Sequence, residues 1–222
     1  MTTDIDVVIP TLNAARSLAS TLDSLSGESI TVCDGGSSDD TATIARQAGA
    51  IVLVTEPGRG RQLAHGAMAG SAPWLLFLHA DTTLSKGWAT AARQFMALPA
   101  HAPKAAYFRL RFASADPRAR RLERLVAWRC QTFGLPYGDQ GLLIERGFYR
   151  RIGGFRALPL MEDVDLVRRI GRRNLSALDA EAVTSAERYE RDGWILRPMR
   201  NLGCLVLYFA GLPPTVIRRL YG

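Results

Sequence analysis

Residues 30–54, ITVCDGGSSDDTATIARQAGAIVLV, read as a strand, a polar Gly-rich loop, a helix and a second strand within 25 residues. The runs ITVC (30–33) and IVLV (51–54) are short, largely apolar and β-branched, the pattern of strands buried on both faces. The same alternation extends in both directions. IDVVI (5–9) precedes it and WLLFLH (74–79) follows, with helix-like segments at 14–25, 40–49, 60–71 and 87–98. Apolar strands alternating with helices make βαβ units, so the chain is expected to be α/β with a mainly parallel central sheet flanked by helices. Ligands of such sheets bind beyond the carboxyl ends of the strands, which directs attention to the loops that follow each strand.

Beyond residue 104 the regularity breaks. A strand-like AAYFRLRFA (105–113), a basic helix-like stretch 116–133 and a Gly-rich turn LPYGDQGLLI (135–144) are followed by a short helix, the turn IGGF (152–155) and a helix over about 162–173. Residues 190–221 read as amphipathic helices interrupted by Pro213-Pro214. This half elaborates the sheet, so a chain of 222 residues is expected to form a single domain, 1–222, with halves at 1–103 and 104–222.

Composition sets outer limits on function. With 47% hydrophobic and 22% charged residues the chain is ordinary globular material, which excludes disordered and collagen-like classes. Its net charge of +7 is unevenly spread: residues 1–100 hold 6 basic and 9 acidic groups, and residues 101–222 hold 22 and 12. That asymmetry suggests that the second half meets something anionic. Cys33, Cys130 and Cys204 are far apart and lack CxxC spacing, so neither a disulfide framework nor a zinc knuckle is supported and a reducing cytoplasm fits. MTTDIDVVIP lacks the basic start of a secretory signal, and LGCLVLYFAGL (202–212) is about half of the roughly 20 residues a spanning helix needs. The arginines flanking that run, among them Arg197, Arg200, Arg218 and Arg219, are compatible with peripheral contact at the inner membrane face and equally with a terminal helix packed on the core.

Four loops carry the candidate chemistry. After the first strand, Pro10, Thr11 and Asn13 present short polar groups, with helix capping by Asn13 as the plainer explanation. After the second, Asp34 leaves an apolar strand and Gly35-Gly36 permit close backbone approach, a setting in which a carboxylate can receive a nucleobase N–H. Ser38 and Asp39 are better explained as caps of the following helix. After the fourth strand, HADTT brings out Asp81, whose hard oxygens suit Mg²⁺ or Mn²⁺. His79 shares its face only if the strand persists. In MEDVDLVRRI (161–170) a step of about 100° per residue sets Asp163 at the centre of the apolar band Val164, Leu166, Val167 and Ile170, with Glu162, Asp165, Arg168 and Arg169 on the wet side. A carboxylate directed into an apolar stripe costs free energy unless it is paired or used. Glu162 answers the helix dipole, and Asp165 is expected to pair with Arg168 or Arg169.

Taken in order, VVIPTLNAA, VCDGGSSDDT, GRGRQLAHGA, LLFLHADTT, RRIGGF and MEDVDL resemble family 2 glycosyltransferases of the GT-A fold over at least residues 4–170. More narrowly, HAD, PYGDQG and MEDVDLVRR resemble the branch described as radical-SAM/selenodomain-associated transferase 2 or arsenosugar-biosynthesis glycosyltransferase. The resemblance implies a nucleotide-diphospho-sugar donor bound by Pro10, Thr11, Asn13, Asp34, Gly35, Gly36 and Ala80, with Arg61 near its diphosphate. It implies a divalent metal at Asp81 with His79 beside it, and Asp163 of the Glu162-Asp163 pair as catalytic base. The residues depart from the family pattern at two points: His79 stands where the first Asp of DxD is usual, and Gly35 where DDGS has its second Asp. No QxxRW motif is present, so non-processive transfer to an acceptor hydroxyl, anionic in character given the basic second half, is the expected function. The halves 1–103 and 104–222 then divide into donor and acceptor sides.

Other classes fit less well. No GxGxxG follows the first strand, as a dehydrogenase requires, and IPTLN offers neither the Gly-rich loop nor the Lys of a nucleotidyltransferase. A nucleic-acid-binding module is suggested only by the basic second half, whose 12 acids and lack of an aromatic platform argue against it. A GT-A-like sugar-nucleotide binder without activity is the alternative that the HAD departure keeps open.

Overall fold

The computed structural model describes residues 4–99 and 101–221. Eight strands form one sheet in the order β3-β2-β1-β4-β7-β6-β8-β5. The first-half strands are β1 (Ile5–Thr11), β2 (Ser29–Asp34), β3 (Ile51–Val54), β4 (Trp74–Phe77) and β5 (Thr82–Leu84), and the second half adds β6 (Ala105–Phe112), β7 (Leu142–Glu145) and β8 (Leu175–Thr184). Pairings β1–β2, β2–β3, β1–β4 and β6–β8 are parallel, whereas β7 runs antiparallel to β4 and β6, and β5 antiparallel to β8. The sheet is thus mixed but mainly parallel, and both halves of the chain contribute to it.

Alternation along β1 sorts the core into two layers. Ile5, Val7 and Ile9 face Leu18 and Leu22 of α1 (Ala15–Asp23), Ala45 of α2 (Thr41–Gln47) and Trp88, Ala92 and Phe95 of α4 (Trp88–Met96). Val8 faces the other way, toward Leu63 of α3 (Arg59–Gly66), Tyr149 of α6 (Arg146–Arg151) and Leu166 and Ile170 of α7 (Glu162–Ile170). Each layer follows from the period of two along a strand meeting the apolar stripe of a helix. A third cluster lies under α5 (Pro117–Phe133), where Phe112, Ala119, Val126, Cys130 and Trp194 pack together. The chain closes with α8 (Glu187–Asp192), α9 (Leu196–Phe209) and α10 (Pro214–Tyr221), broken at Pro213-Pro214 as expected.

Three strands depart from the sequence reading: β7 lies at the end of the segment read as a Gly-rich turn, 135–144, and β5 and β8 were not expected. β8, LSALDAEAVT, buries Leu178, Ala180, Ala182 and Thr184 on one face, but Ala, Asp and Glu are weak strand formers, so its only intrinsic signal is the alternation over 178–182. Its extension is imposed by the parallel ladder with β6. β5 has three residues and exists only as the partner of Thr184, Val183 and Ala182. One buried ion pair ties the halves together: Arg146 reaches across to Asp6 at 2.5 Å and also donates to the carbonyls of Ala67 and Ala72. All three cysteines are free and buried.

Candidate active site

Because β1, β2 and β4 are parallel and in register, their carboxyl ends open on the same edge, and the loops that leave them are stitched to one another. Thr11 is paired with Asp34 across the β1–β2 ladder. Asp34 is buried and accepts four hydrogen bonds, from the hydroxyls of Thr11 (2.9 Å) and Ser37 (2.5 Å) and the amides of Gly36 (3.1 Å) and Ser37 (2.8 Å). Burial opposes its charge, but these donors, those of Ser37 foremost, hold the carboxyl below its ordinary value. Four bonds fill the lone pairs of a carboxylate, so in this structure Asp34 holds the Gly35-Gly36 turn. None of these three residues lines the cleft described next.

Asn13 does not cap α1, whose N-cap Ala14 has no side-chain hydrogen bond. With φ at +52° it accepts instead from the backbone N–H of Ser38 at 2.9 Å, while its own amide donates to the Ser37 hydroxyl at 2.8 Å. Asp39 accepts from the amide and hydroxyl of Thr41, as a helix-start residue should, and also from the amide of Ala15. Ser38 caps nothing. From α3, buried Gln62 donates to the carbonyls of Thr11 (2.7 Å) and Cys33 (2.8 Å), locking the ends of the two strands together.

These loops wall a cleft of about 790 Å³. Of the sequence-derived candidates, Pro10, Thr11, Asn13, His79, Ala80, Asp81 and Glu162 line it. A smaller lobe of about 150 Å³ continues from it, sharing Arg59, His79, Asp81 and Arg188 with the large one and adding Tyr137, Asp139, Asp163 and Asn201. Strand β4 ends at Phe77, so the alternation that would put His79 and Asp81 on one face does not apply. The turn that replaces it brings both to the cleft all the same.

Arg61 is corrected by the structure. Its side chain is half exposed, pairs with Glu56 and lines neither lobe. Arg59, two residues earlier, enters both lobes and meets Glu162 at 3.3 Å. Burial would weaken its charge, yet the field of Glu162, Asp163 and Asp81 raises its pKa, so it is a fixed cation. Gly60 makes this approach possible, since a Cβ there would lie 2.2 Å from the carbonyl oxygen of Arg156 and 3.2 Å from Cβ of Glu162.

The wet side assigned to α7 is also corrected. Glu162 is 2% exposed and Asp165 7% exposed, because α3 and the segment before α7 cover the flank that an isolated helical wheel leaves in water. Asp165 pairs with Arg169 at 2.5 Å, as expected, and with Arg156 at 3.2 Å. Burial raises the Glu162 pKa, the charge of Asp163 adds to this, and Arg59 opposes it. Asp163 is half-buried on the small lobe, where Oδ2 accepts the Gly138 N–H at 2.9 Å and Oδ1 accepts that of Val164 at 2.8 Å. Met161, the residue ahead of α7, adopts a left-handed φ of +65°, a strained conformation for a side chain of its kind.

The turn Gly138–Gln140, part of the PYGDQG motif, contributes no residue to the expected site, yet it shapes the one observed. Gly138 lies so close to His79 that a Cβ would sit 2.6 Å from Nε2. Asp139 has a buried Oδ1 with no hydrogen-bond partner among the described residues. Burial pushes its carboxyl up to about 6; Arg129 and Arg59 oppose this and the charges of Asp163 and Asp81 add to it. His79 is pushed well below the usual imidazole value by burial and by the cations Arg59 and Arg188, which leaves it neutral with a lone pair to give.

A divalent ion suits this pair. Among the described residues Asp81 accepts only a long hydrogen bond, 3.5 Å from Thr82, and so has oxygen lone pairs to offer. No group of three or more His, Cys, Asp or Glu is arranged to hold an ion alone among those residues. Asp81 and His79 would therefore be two ligands of a shell completed by substrate phosphates and water, the usual manner of Mg²⁺ and Mn²⁺.

Sheet order, crossing helices and the cleft at the strand ends define a GT-A fold, and comparison with known proteins agrees. Residues 6–150 match Glycosyl transferase family 2, and the chain belongs to that family. An uncharacterized glycosyltransferase of Mycobacterium tuberculosis (strain ATCC 25618 / H37Rv) is 36% identical over 85 residues, covering 37% of this chain. The chain spans 39% of the length of the curated relatives it matches. Among solved structures, a mannosyltransferase from Pyrobaculum calidifontis in complex with GDP-Man and Mn²⁺ superposes with a TM-score of 0.69 at 18% identity, covering 100% of this chain and 68% of that one. Glucosyl-3-phosphoglycerate synthase from Mycobacterium tuberculosis, with Mg²⁺ and UDP, gives 0.59 at 19% identity over 82% of this chain and 69% of that one.

Proposed function

We propose that the chain transfers a sugar from a nucleotide-diphospho-sugar to an acceptor hydroxyl by inverting, non-processive displacement. The observation that carries this reading is the pair of lobes meeting at His79 and Asp81, with the fixed cation Arg59 at the junction and Asp163 on the wall of the smaller lobe. The large lobe has the size and polar walls for a nucleotide. Its diphosphate would lie at the junction, where Arg59 and Arg188 oppose the charge that grows on the leaving group. A divalent ion bound by Asp81 and His79 would supply further neutralisation of that charge.

Asp163 would take the proton of the attacking hydroxyl. Each of its oxygens keeps a second lone pair after accepting from Gly138 and Val164, and those two bonds fix the carboxylate's orientation before the acceptor arrives. Glu162 acts at one remove, holding Arg59 in place through their ion pair. Pro10, Thr11, Asn13 and Ala80 form the wall offered to the nucleotide, and Asp34 supports that wall from behind. Arg59, Arg188 and Arg197 on the small lobe suit an anionic acceptor. The HAD, PYGDQG and MEDVDLVRR motifs favour the arsenosugar-type branch, and three buried free thiols favour a reducing compartment such as the cytoplasm.

The test is Asp163→Asn. Donor binding, followed by calorimetry with Mn²⁺, should persist within about twofold, while transfer falls by at least the roughly 10²–10⁴-fold that a general base contributes. An Asn variant with unimpaired turnover refutes the role of Asp163. A wild-type chain that neither binds nor hydrolyses any nucleotide sugar refutes the transferase reading as a whole.

A further inference from the structure

Helix α9 has two faces with different surroundings. Arg197 and Asn201 line the small lobe, and Cys204 and Leu205 are buried. On the outward side, Ile195, Met199, Leu202, Val206 and Phe209 recur at steps of three and four residues and form one stripe, each between 48% and 69% exposed. Monomer surfaces rarely present such a run unless it meets a partner.

The stripe does not end with the helix. The guanidinium of Arg168 lies 4.9 Å from the centre of the Phe209 ring. One turn on, Arg172 packs against Gly134, the residue that closes α5. Immediately before it, Phe133 meets Trp128 edge to face at 5.4 Å, and Trp128, Phe133 and Leu125 are all more than half exposed. Two exposed apolar patches, the α9 stripe and the α5 aromatics, are thus linked through Arg168 and Arg172.

The charges choose between occupants. The exposed cations of this face are Arg168, set against Phe209, and Arg172, beside Gly134, and from residue 193 to 222 the sequence holds no acidic residue. A second copy of the chain meeting this face about a two-fold axis would bring two basic patches together, with no acidic residue in 193–222 to offset them. A surface of anionic headgroups offers the complement. Helices with aromatic and aliphatic residues on one side and arginines beside them lie in the plane of such an interface. Spanning is not in question, since among the described residues no helix is long and apolar enough to cross a membrane.

We propose that the α9–α5 face docks on an anionic lipid bilayer, in the plane of the headgroups, which would hold the small lobe at the membrane surface. The experiment needs no donor or acceptor, so its outcome is independent of the transferase reading. The full chain is sedimented with phosphatidylcholine vesicles, with and without about a quarter phosphatidylglycerol. Binding is expected only with the anionic lipid, weakening as salt rises. The double variant Leu202→Glu/Val206→Glu should cut the bound fraction at least about tenfold with unchanged circular dichroism. A second pair on the other helix, Trp128→Ala/Phe133→Ala, should also reduce binding and guards against misfolding of the first. Absence of lipid-dependent pelleting, or equal pelleting of wild type and both variants, overturns the proposal. So does light scattering that finds a dimer of the wild type which either pair of substitutions dissociates.

Discussion

Replacing Asp139 by Asn should make the protein more stable, and by an amount that depends on pH. The Asp139 carboxyl has a buried oxygen with no partner among the described residues, and burial with neighbouring carboxylates places its pKa at about 6, against the ordinary carboxyl value of an unfolded chain. A folded-state pKa above the unfolded one means the native state holds the proton more tightly. Stability is then greatest below the unfolded value and declines as pH rises through the interval up to about 6. The full difference is worth about 3 kcal/mol once both states are ionised. Asn carries no charge, so the variant loses this decline. Urea unfolding of both proteins, followed by tryptophan fluorescence in EDTA, should give a stability gap that widens by about 2–3 kcal/mol between roughly pH 4 and pH 7.5. A gap of the same size at both ends would show that Asp139 is not a strained carboxylate, and the electrostatic account of the small lobe would fall with it.

Gly138→Ala should lower transfer about a hundredfold with little change in melting temperature, because the added Cβ would strike His79 Nε2 and lift the turn from Asp163; steady-state kinetics checks it. Arg59→Gln should weaken nucleotide-sugar binding about tenfold or more by calorimetry, whereas Arg61→Gln, on the outer side of α3, should leave it unchanged. Arg146→Met strands the Asp6 carboxylate in the interior and should cost about 3–5 kcal/mol of unfolding free energy in urea.

Most of the frame was readable because it rests on local patterns. The strand Ile51–Val54 coincides with its apolar run, and β1, β2 and β4 lie where continuous β-branched and aromatic residues placed them. The loops at their carboxyl ends do form the cleft. What escaped depends on distant partners. β8 is a strand because β6 lies beside it, not because Ala, Asp and Glu favour extension. Glu162 and Asp165 lie on the wet side of a helical wheel, and only distant packing covers that flank, α3 over Glu162 and the Arg156 segment over Asp165. The sequence reading names Arg61 and not Arg59, and the two differ by only two positions at a helix start, where each step rotates the side chain by about 100°. Asp34, expected to receive a nucleobase N–H, is engaged by four donors of the Thr11 and Gly36-Ser37 loops, a network that its apolar strand does not announce.

The stitched wall of the cleft has a thermodynamic consequence. Asn13, Ala14 and Ala15 are tied to Ser38, Thr41 and Asp39, and Gln62 clamps the strand ends behind them. Fixing the backbone of a loose loop costs on the order of 1–2 kcal/mol per residue, and here that entropy is surrendered when the chain folds. A ligand that settles against this side finds a rigid mould, so its binding should add little protection from amide hydrogen exchange at residues 13–15, 36–38 and 41, whose N–H groups are already hydrogen-bonded.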